Sequence, residues 1–163
     1  TYLYRTNTSN WIIYRLSDVM LMKAEALVEI NNKLIDLTPN LPNYKAALEL
    51  VNTVYKRSNA EAADLDIANY PTLSDKRNLV MRERQRELLF EGKRWFDLLR
   101  MARRDGNTSN INDYMDRKAS GATSSLGVPV LDALYFPISD GDLKTNAKLV
   151  QNPYYKTTSS SNR

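Results

Sequence analysis

The 163 residues contain no cysteine and no histidine. The first absence excludes disulfides, thiolate metal sites and cysteine nucleophiles. The second excludes the serine–histidine triad, the HExxH zinc site and the ExxH di-iron site. Long apolar runs are missing as well: no stretch approaches the roughly 18 consecutive residues that a membrane-spanning helix needs. The opening "TYLYRTNTSNW" carries no targeting segment and begins on Thr1 rather than Met, which points to processing or to a piece of a longer protein. What is present, 42% hydrophobic and 26% charged residues, is the balance of a globular chain with enough mass for a core.

The net charge of +4 is unevenly spread. Between Lys76 and Arg104 there are 10 basic and 4 acidic residues, against 13 and 15 elsewhere. A basic helix can serve nucleic acid or an anionic surface. Here glutamates are interleaved with the arginines, whereas recognition surfaces exclude them. The segment therefore reads as a helix held by its own ion pairs, and no nucleic-acid partner is expected.

Helical periodicity organises the first two-thirds of the chain. In "LSDVMLMKAEALVEI", Ser17 is the expected N-cap, and Asp18 suits the positive end of the helix. Val19, Met22, Ala26 and Ile30 step along one face, widened by Met20, Ala24 and Leu27. Pro39 and Pro42 punctuate a loop, after which Asn43 is expected to cap "YKAALELVNTVYKRS" with a stripe of Ala47, Leu50, Val51 and Val54. Two such helices should pack as an antiparallel pair over about 17–58, since neither buries its stripe alone. Ser74 is expected to cap the helix "DKRNLVMRERQRELLFEG", ended by Gly92, and "KRWFDLLRMARRDG" to form another ending at Gly106. These motif helices cover about 74–104. From 105 to 163 the chain reads as a long polar loop ("NTSNINDYMDRKASGATSSLG"), a short extended run at "VPVLDALYFPIS" and a turn-rich wrap with a frayed tail.

The stretch "RERQRELLFEGKRWFDLLR" mixes charge with large apolar groups. Val80, Glu83, Arg84, Glu87, Leu88 and Glu91 share one helical face by spacing. A solvated helix would segregate them, so arginines forking onto Glu83, Glu87, Glu91 and Asp97 in a partly buried network are expected. Glu83 and Glu87 lie one turn apart, like a glycosidase pair. Neighbouring arginines would hold their pKa values down, however, where a general acid needs the opposite. No catalytic residue, metal or cofactor is therefore expected. Trp95 and Phe96, beside Leu98 and Leu99, read as core rather than as a sugar platform.

This arrangement closely resembles the hallmark of the SusD/RagB family of Bacteroidetes outer-membrane lipoproteins. Its pattern is matched by Glu83, Arg84, Arg86, Glu87, Leu88, Phe90, Glu91, Gly92, Arg94, Trp95, Phe96, Asp97, Leu98 and Arg100. "IIYRLSDVMLMKAEALVEI" is similar to a second family helix through Arg15, Asp18, Ala24, Glu25 and Ala26. "FPISDGDLKTNAKLVQNPYY" is similar to the closing motif through Pro137, Ile138, Asn146, Leu149, Gln151, Asn152, Pro153 and Tyr155. Ser139, Asp142, Ala147 and Tyr154 depart from it, all in the terminal wrap.

The resemblance implies an all-α, tetratricopeptide-like scaffold, with 1–163 as the C-terminal part of a longer protein. It further implies a cell-surface, non-enzymatic, nutrient- or glycan-binding lipoprotein of the outer membrane. Such a protein partners a SusC-like TonB-dependent transporter and is held by an N-terminal lipid anchor not in this chain. The alternative is a scaffold segment that docks the transporter while ligand binds elsewhere. Arg15, Asp18, Glu25, Glu83, Arg84, Arg86, Glu87, Glu91, Arg94, Trp95 and Asp97 then read as structural. The remaining ligand candidates are the aromatics Tyr2, Tyr4 and Trp11 before the first helix and Tyr114 in the polar loop.

Overall fold

The computed structural model describes residues 12–33, 41–118 and 127–156. The chain divides into two compact units with the boundary between Arg94 and Trp95. Among the described residues there are α-helices and short 3-10 turns and no strand, so the chain is all-α.

The first unit is built on α1 (Leu16–Lys33), α2 (Leu41–Ser58) and α3 (Leu73–Glu87), with α1 packed on both others. Leu21, Ala24, Val28, Ala47, Val51, Val54, Leu79 and Val80 form its core. Alanine at two of these positions lets the backbones approach. Charge fixes the directions. Glu87, at the end of α3, accepts from Arg15 just before α1 and from Arg57 in the last turn of α2. Arg77, near the start of α3, grips Glu29, near the end of α1, with two bonds of 2.6 Å. Hence α1 runs antiparallel to both α2 and α3, as expected for the pair.

Several local expectations are corrected. The buried face of α1 is Asp18, Leu21, Ala24 and Val28, while Val19, Ala26 and Ile30 are exposed. Of the expected face, Ala24 is buried and Met20 and Leu27 pack against the core, whereas Val19, Ala26 and Ile30 are turned outward, because pairing Asp18 with Arg84 sets the rotation of the helix. Ser17 lies inside α1 and accepts a hydrogen bond from Arg15 rather than capping. Asn43 and Pro42 lie within the first turn of α2, where a proline costs nothing since its N–H would be unpaired anyway. Pro39 and the rest of the expected loop fall outside the described residues. Thr72, not Ser74, caps α3, in a capping box with Asp75. Helix α3 ends at Glu87, and Phe90 and Gly92 both follow at positive φ, at 67° and 71°. The linker between α2 and α3 is stapled by Asn52, which accepts from Leu65 N at 2.9 Å and donates to Leu65 O at 3.1 Å.

The second unit holds α4 (Arg94–Asp105), which starts at the boundary, α5 (Ser109–Lys118) and α6 (Asp140–Thr145). Gly106 closes α4 at φ 69°, and Asn107 N reaches back to Ala102 O at 3.2 Å, a six-to-one helix end. Helix α5 corrects the long-loop expectation over 109–118. Its polar composition hid a buried Ile111 and an Asn112 whose amide pairs with both Val128 N and Val128 O. Residues 119–126 lie outside the described residues. The expected extended run contains a 3-10 turn, Leu131–Leu134, between extended Val130 and Tyr135. The wrap is turn-rich as expected: Ser139 and Asp142 cap α6, and a 3-10 turn spans Pro153–Tyr155. The tail from 157 onward lies outside the described residues.

Candidate functional site

The hallmark helix and the entry to α1 meet in an ionic cluster within the first unit. Asp18 is 1% exposed, and its Oδ1 accepts from Arg84 Nη1 at 2.9 Å. Arg84 also donates to Asp18 O at 3.4 Å. Lys93 places its ammonium 3.3 Å from Asp18 Oδ2, 4.3 Å from the Tyr14 ring, and on Ile13 O. One carboxylate therefore faces two cations in a site closed to water, the condition under which a buried charge is tolerated.

A second centre surrounds Glu87. Arg15 binds its carboxylate and its backbone carbonyl, and also reaches Glu91 Oε1 at 2.8 Å. Arg57 binds the same Glu87 oxygen at 2.6 Å. Burial pushes the Glu87 carboxyl up, but the hydrogen bonds from Arg15 and Ser17 and the Arg15 charge outweigh it and hold the group below its usual range. The Arg15 guanidinium is raised in turn, chiefly by Glu91 and Glu87 against desolvation. A carboxylate held ionised accepts hydrogen bonds; it does not deliver a proton near neutrality. Glu83, buried at the next turn, takes Arg86.

These two centres bring together Arg15, Asp18, Arg84, Glu87 and Glu91, while Glu83 and Arg86 pair with each other along α3. The remaining motif residues lie elsewhere. Glu25 is half-buried on α1. Arg94 is half-buried at the start of α4, and Asp97 is buried and bound by Arg100 at 2.8 Å. Trp95 and Phe96 correct the core expectation: at 39% and 59% exposure they lie on the outer side of α4, while Leu98, Met101 and Ala102 point inward. Tyr114 is half-buried on α5, not in a loop. Tyr2, Tyr4 and Trp11 fall outside the described residues. Among the described residues no acidic cluster suited to a metal occurs.

Lys93 and Arg57 were not singled out from the sequence. Their signal is faint, a cation directly after Gly92 and another in a last helical turn where basic residues are ordinary. The closing motif also acquires a role. Gln151 accepts from Ile138 N at 2.9 Å and donates to Ile138 O at 2.8 Å. Asn152 donates to Asp132 O at 2.7 Å and caps the turn at Tyr154. The two amides knot the wrap, and an open groove of about 550 Å³ lies beside them, lined by Pro137, Asp140, Leu143 and Tyr155.

Of the hallmark residues, Arg84, Glu87 and Glu91 thus bind α1 or its entry. Comparison with known proteins agrees with the pattern: the SusD family model matches residues 1–155. The chain belongs to the SusD family. Two SusD relatives come from Formosa agariphila. SusD-like protein P38 is 30% identical over 156 residues, covering 90% of this chain and 25% of its own length. SusD-like protein P2 is 31% identical over 100 residues, covering 60% of this chain and 18% of its own length. The chain therefore spans a quarter or less of these relatives. No solved structure matches it significantly.

Proposed function

We propose that this chain is the C-terminal scaffold portion of a longer, non-catalytic SusD-type protein that binds a nutrient, with glycan the favoured class, at the outer-membrane surface. In this reading the protein works with a SusC-like TonB-dependent transporter and is held by a lipid anchor that lies outside this chain. The observation that carries the reading is the family match over 1–155, set against relatives about four times longer. The chemistry of the site supports it. Its carboxylates are committed to arginines, and histidine and cysteine are missing from the 163 residues. The aromatic candidates Tyr2, Tyr4, Trp11 and Tyr114 remain proposals as ligand contacts, and the portions 17–58, 74–104 and 105–163 as parts of one scaffold.

Isothermal titration of the intact protein against oligosaccharide, glycopeptide and peptide panels tests the binding. Saturable heat with one class is expected, and silence across all of them would sink the reading. The alternative, a segment that docks the transporter, is favoured by the aromatics exposed on α4. Co-purification of the transporter with wild-type protein but not with a Trp95→Ala/Phe96→Ala variant is its expected outcome.

A further inference from the structure

Lys76 turns its charge inward. A surface lysine ordinarily lays its stem along the protein and extends its ammonium to water, and the positive end of a helix disfavours a cation. Lys76 lies in the first turn of α3, yet its side chain folds back over the start of that helix. The ammonium donates to Tyr70 O at 2.7 Å, to Pro71 O at 3.0 Å and, at the limit of a hydrogen bond, to Thr72 O at 3.4 Å. The Tyr44 ring of α2 also faces it, with Nζ 4.7 Å from the centroid. An ammonium has three N–H donors and no acceptor. All three are met by neutral oxygens, and the charge rests against a π face.

Three successive carbonyls do not converge by default, because in an extended chain they alternate from side to side. Tyr70 closes the 3-10 turn Ile67–Asn69 at φ −127° and ψ 64°, which breaks that alternation. Pro71 then supplies a carbonyl with no N–H of its own. Carbonyl oxygens gathered beside an aromatic face are the ligand set of a monovalent cation. The segment that carries them also covers the core of the first unit. Ile67 and Tyr70 line a small cavity with Tyr44, Val51, Leu79 and Val80, and Lys76 forms part of its wall. Asn52 ties this segment to α2 at Leu65, and Lys76 ties it to α3 at Tyr70–Thr72.

We infer that the carbonyls of Tyr70, Pro71 and Thr72 and the ring of Tyr44 form a binding site for a primary ammonium group, which Lys76 fills as a tethered ligand and so latches the linker over the core. The acceptors set the ligand class. A primary alkylammonium offers three N–H groups and a slim stem, whereas a quaternary ammonium offers charge alone.

The test removes the tether and returns the ligand. Lys76→Ala deletes three methylenes and the ammonium, a fragment that n-propylammonium replaces atom for atom. The intact variant protein should melt a few degrees below wild type. Raising n-propylammonium chloride to about 0.2 M should recover roughly half of that gap, by mass action on the folded state. Sodium chloride or propyltrimethylammonium chloride at the same concentration should recover none of it. Wild type, whose site is filled, should melt alike in all three salts. Equal recovery by the primary and the quaternary amine overturns the inference, as does a wild-type response matching that of the variant. If the variant does not fold, reductive methylation of the intact wild-type protein decides. A latched ammonium reacts only when the latch opens, so Lys76 should be methylated about tenfold more slowly than exposed Lys45 and Lys144. Methylation of Lys76 at their rate overturns the inference. Neither arm depends on what the whole protein binds.

Discussion

Asp18 shows how a single side chain can set the orientation of a helix. On apolar spacing alone, Val19, Met22, Ala26 and Ile30 compete with Leu21, Ala24 and Val28 for the inward face. The carboxylate decides between them, because Arg84 and Lys93 wait on that side. Removing one partner of a buried pair leaves the other charge uncompensated, so Asp18→Ala should cost about 3–5 kcal/mol, read by urea denaturation. In a double-mutant cycle the cost of Asp18→Leu with Arg84→Met should fall well short of the sum of the single changes; additivity would remove the pair from the account.

Glu87 brings a pH dependence at the same scale. Its pKa is lowered in the folded state, so its contribution is fully present above the ordinary carboxylate range and is lost as the pH falls through the lowered value. Glu87→Gln should therefore be less stable than wild type at neutral pH, with the gap closing on acidification. Urea midpoints followed down to about pH 3 check this, and a gap that persists there contradicts it.

At the scale of elements, helix ends carry small, separable contributions. Thr72 and Asp75 close the start of α3 reciprocally, through Thr72 N to Asp75 Oδ2 at 2.9 Å and Asp75 N to Thr72 Oγ1 at 3.1 Å. The hydroxyl is also the main reason that the Asp75 carboxyl is held low. Thr72→Ala should cost about 1 kcal/mol and Thr72→Ser nearly nothing, by thermal or urea unfolding. Gly106 offers a purer backbone case. A Cβ there meets nothing within 4 Å, so Gly106→Ala should cost only the left-handed conformation, about 1 kcal/mol or slightly more.

Local signals located the start of α3 and the end of α4 to within two residues but placed the end of α3 at Gly92 rather than Glu87. Ser74 and Thr72 are both capping residue types, and only backbone geometry shows that Thr72 is the cap. Ser139 and Asp142, departures from the family's closing motif, meet at the start of α6: the Ser139 hydroxyl accepts from Asp142 N at 3.2 Å and donates to Asp142 Oδ2 at 2.8 Å. The substitution preserves the start of a short helix by other means. Helix α5 escaped notice because Asn, Ser and Asp favour turns in isolation. Burial of Ile111 and the Asn112–Val128 pairing override that preference.

Across the whole molecule, burial is concentrated in the first unit. Leu21, Ala24, Val28, Ala47, Val51 and Val54 are almost wholly enclosed, whereas in 127–156 only Leu134 is buried. Stability should be graded accordingly. In hydrogen exchange of the intact protein, amides of 21–28 and 47–54 should exchange slowest and those of 140–150 fastest. Equal protection across both sets would contradict this distribution.

By itself the sequence determined the helical class, the antiparallel pair, the motif helices and the family, because these depend on periodicity, capping chemistry and ordered motifs that any local reading can recover. It also showed that the carboxylates of the hallmark stretch are matched by arginines. Which carboxylate meets which cation was decided only in the tertiary structure. Arg15 lies 72 positions from Glu87, and Arg84 lies 66 from Asp18, and separations of that order leave no local trace. The tertiary structure also decided which face of α1 is inward and that Phe90, Trp95 and Phe96 point outward. A hydrophobic residue records that it is to be buried somewhere; it does not record against what.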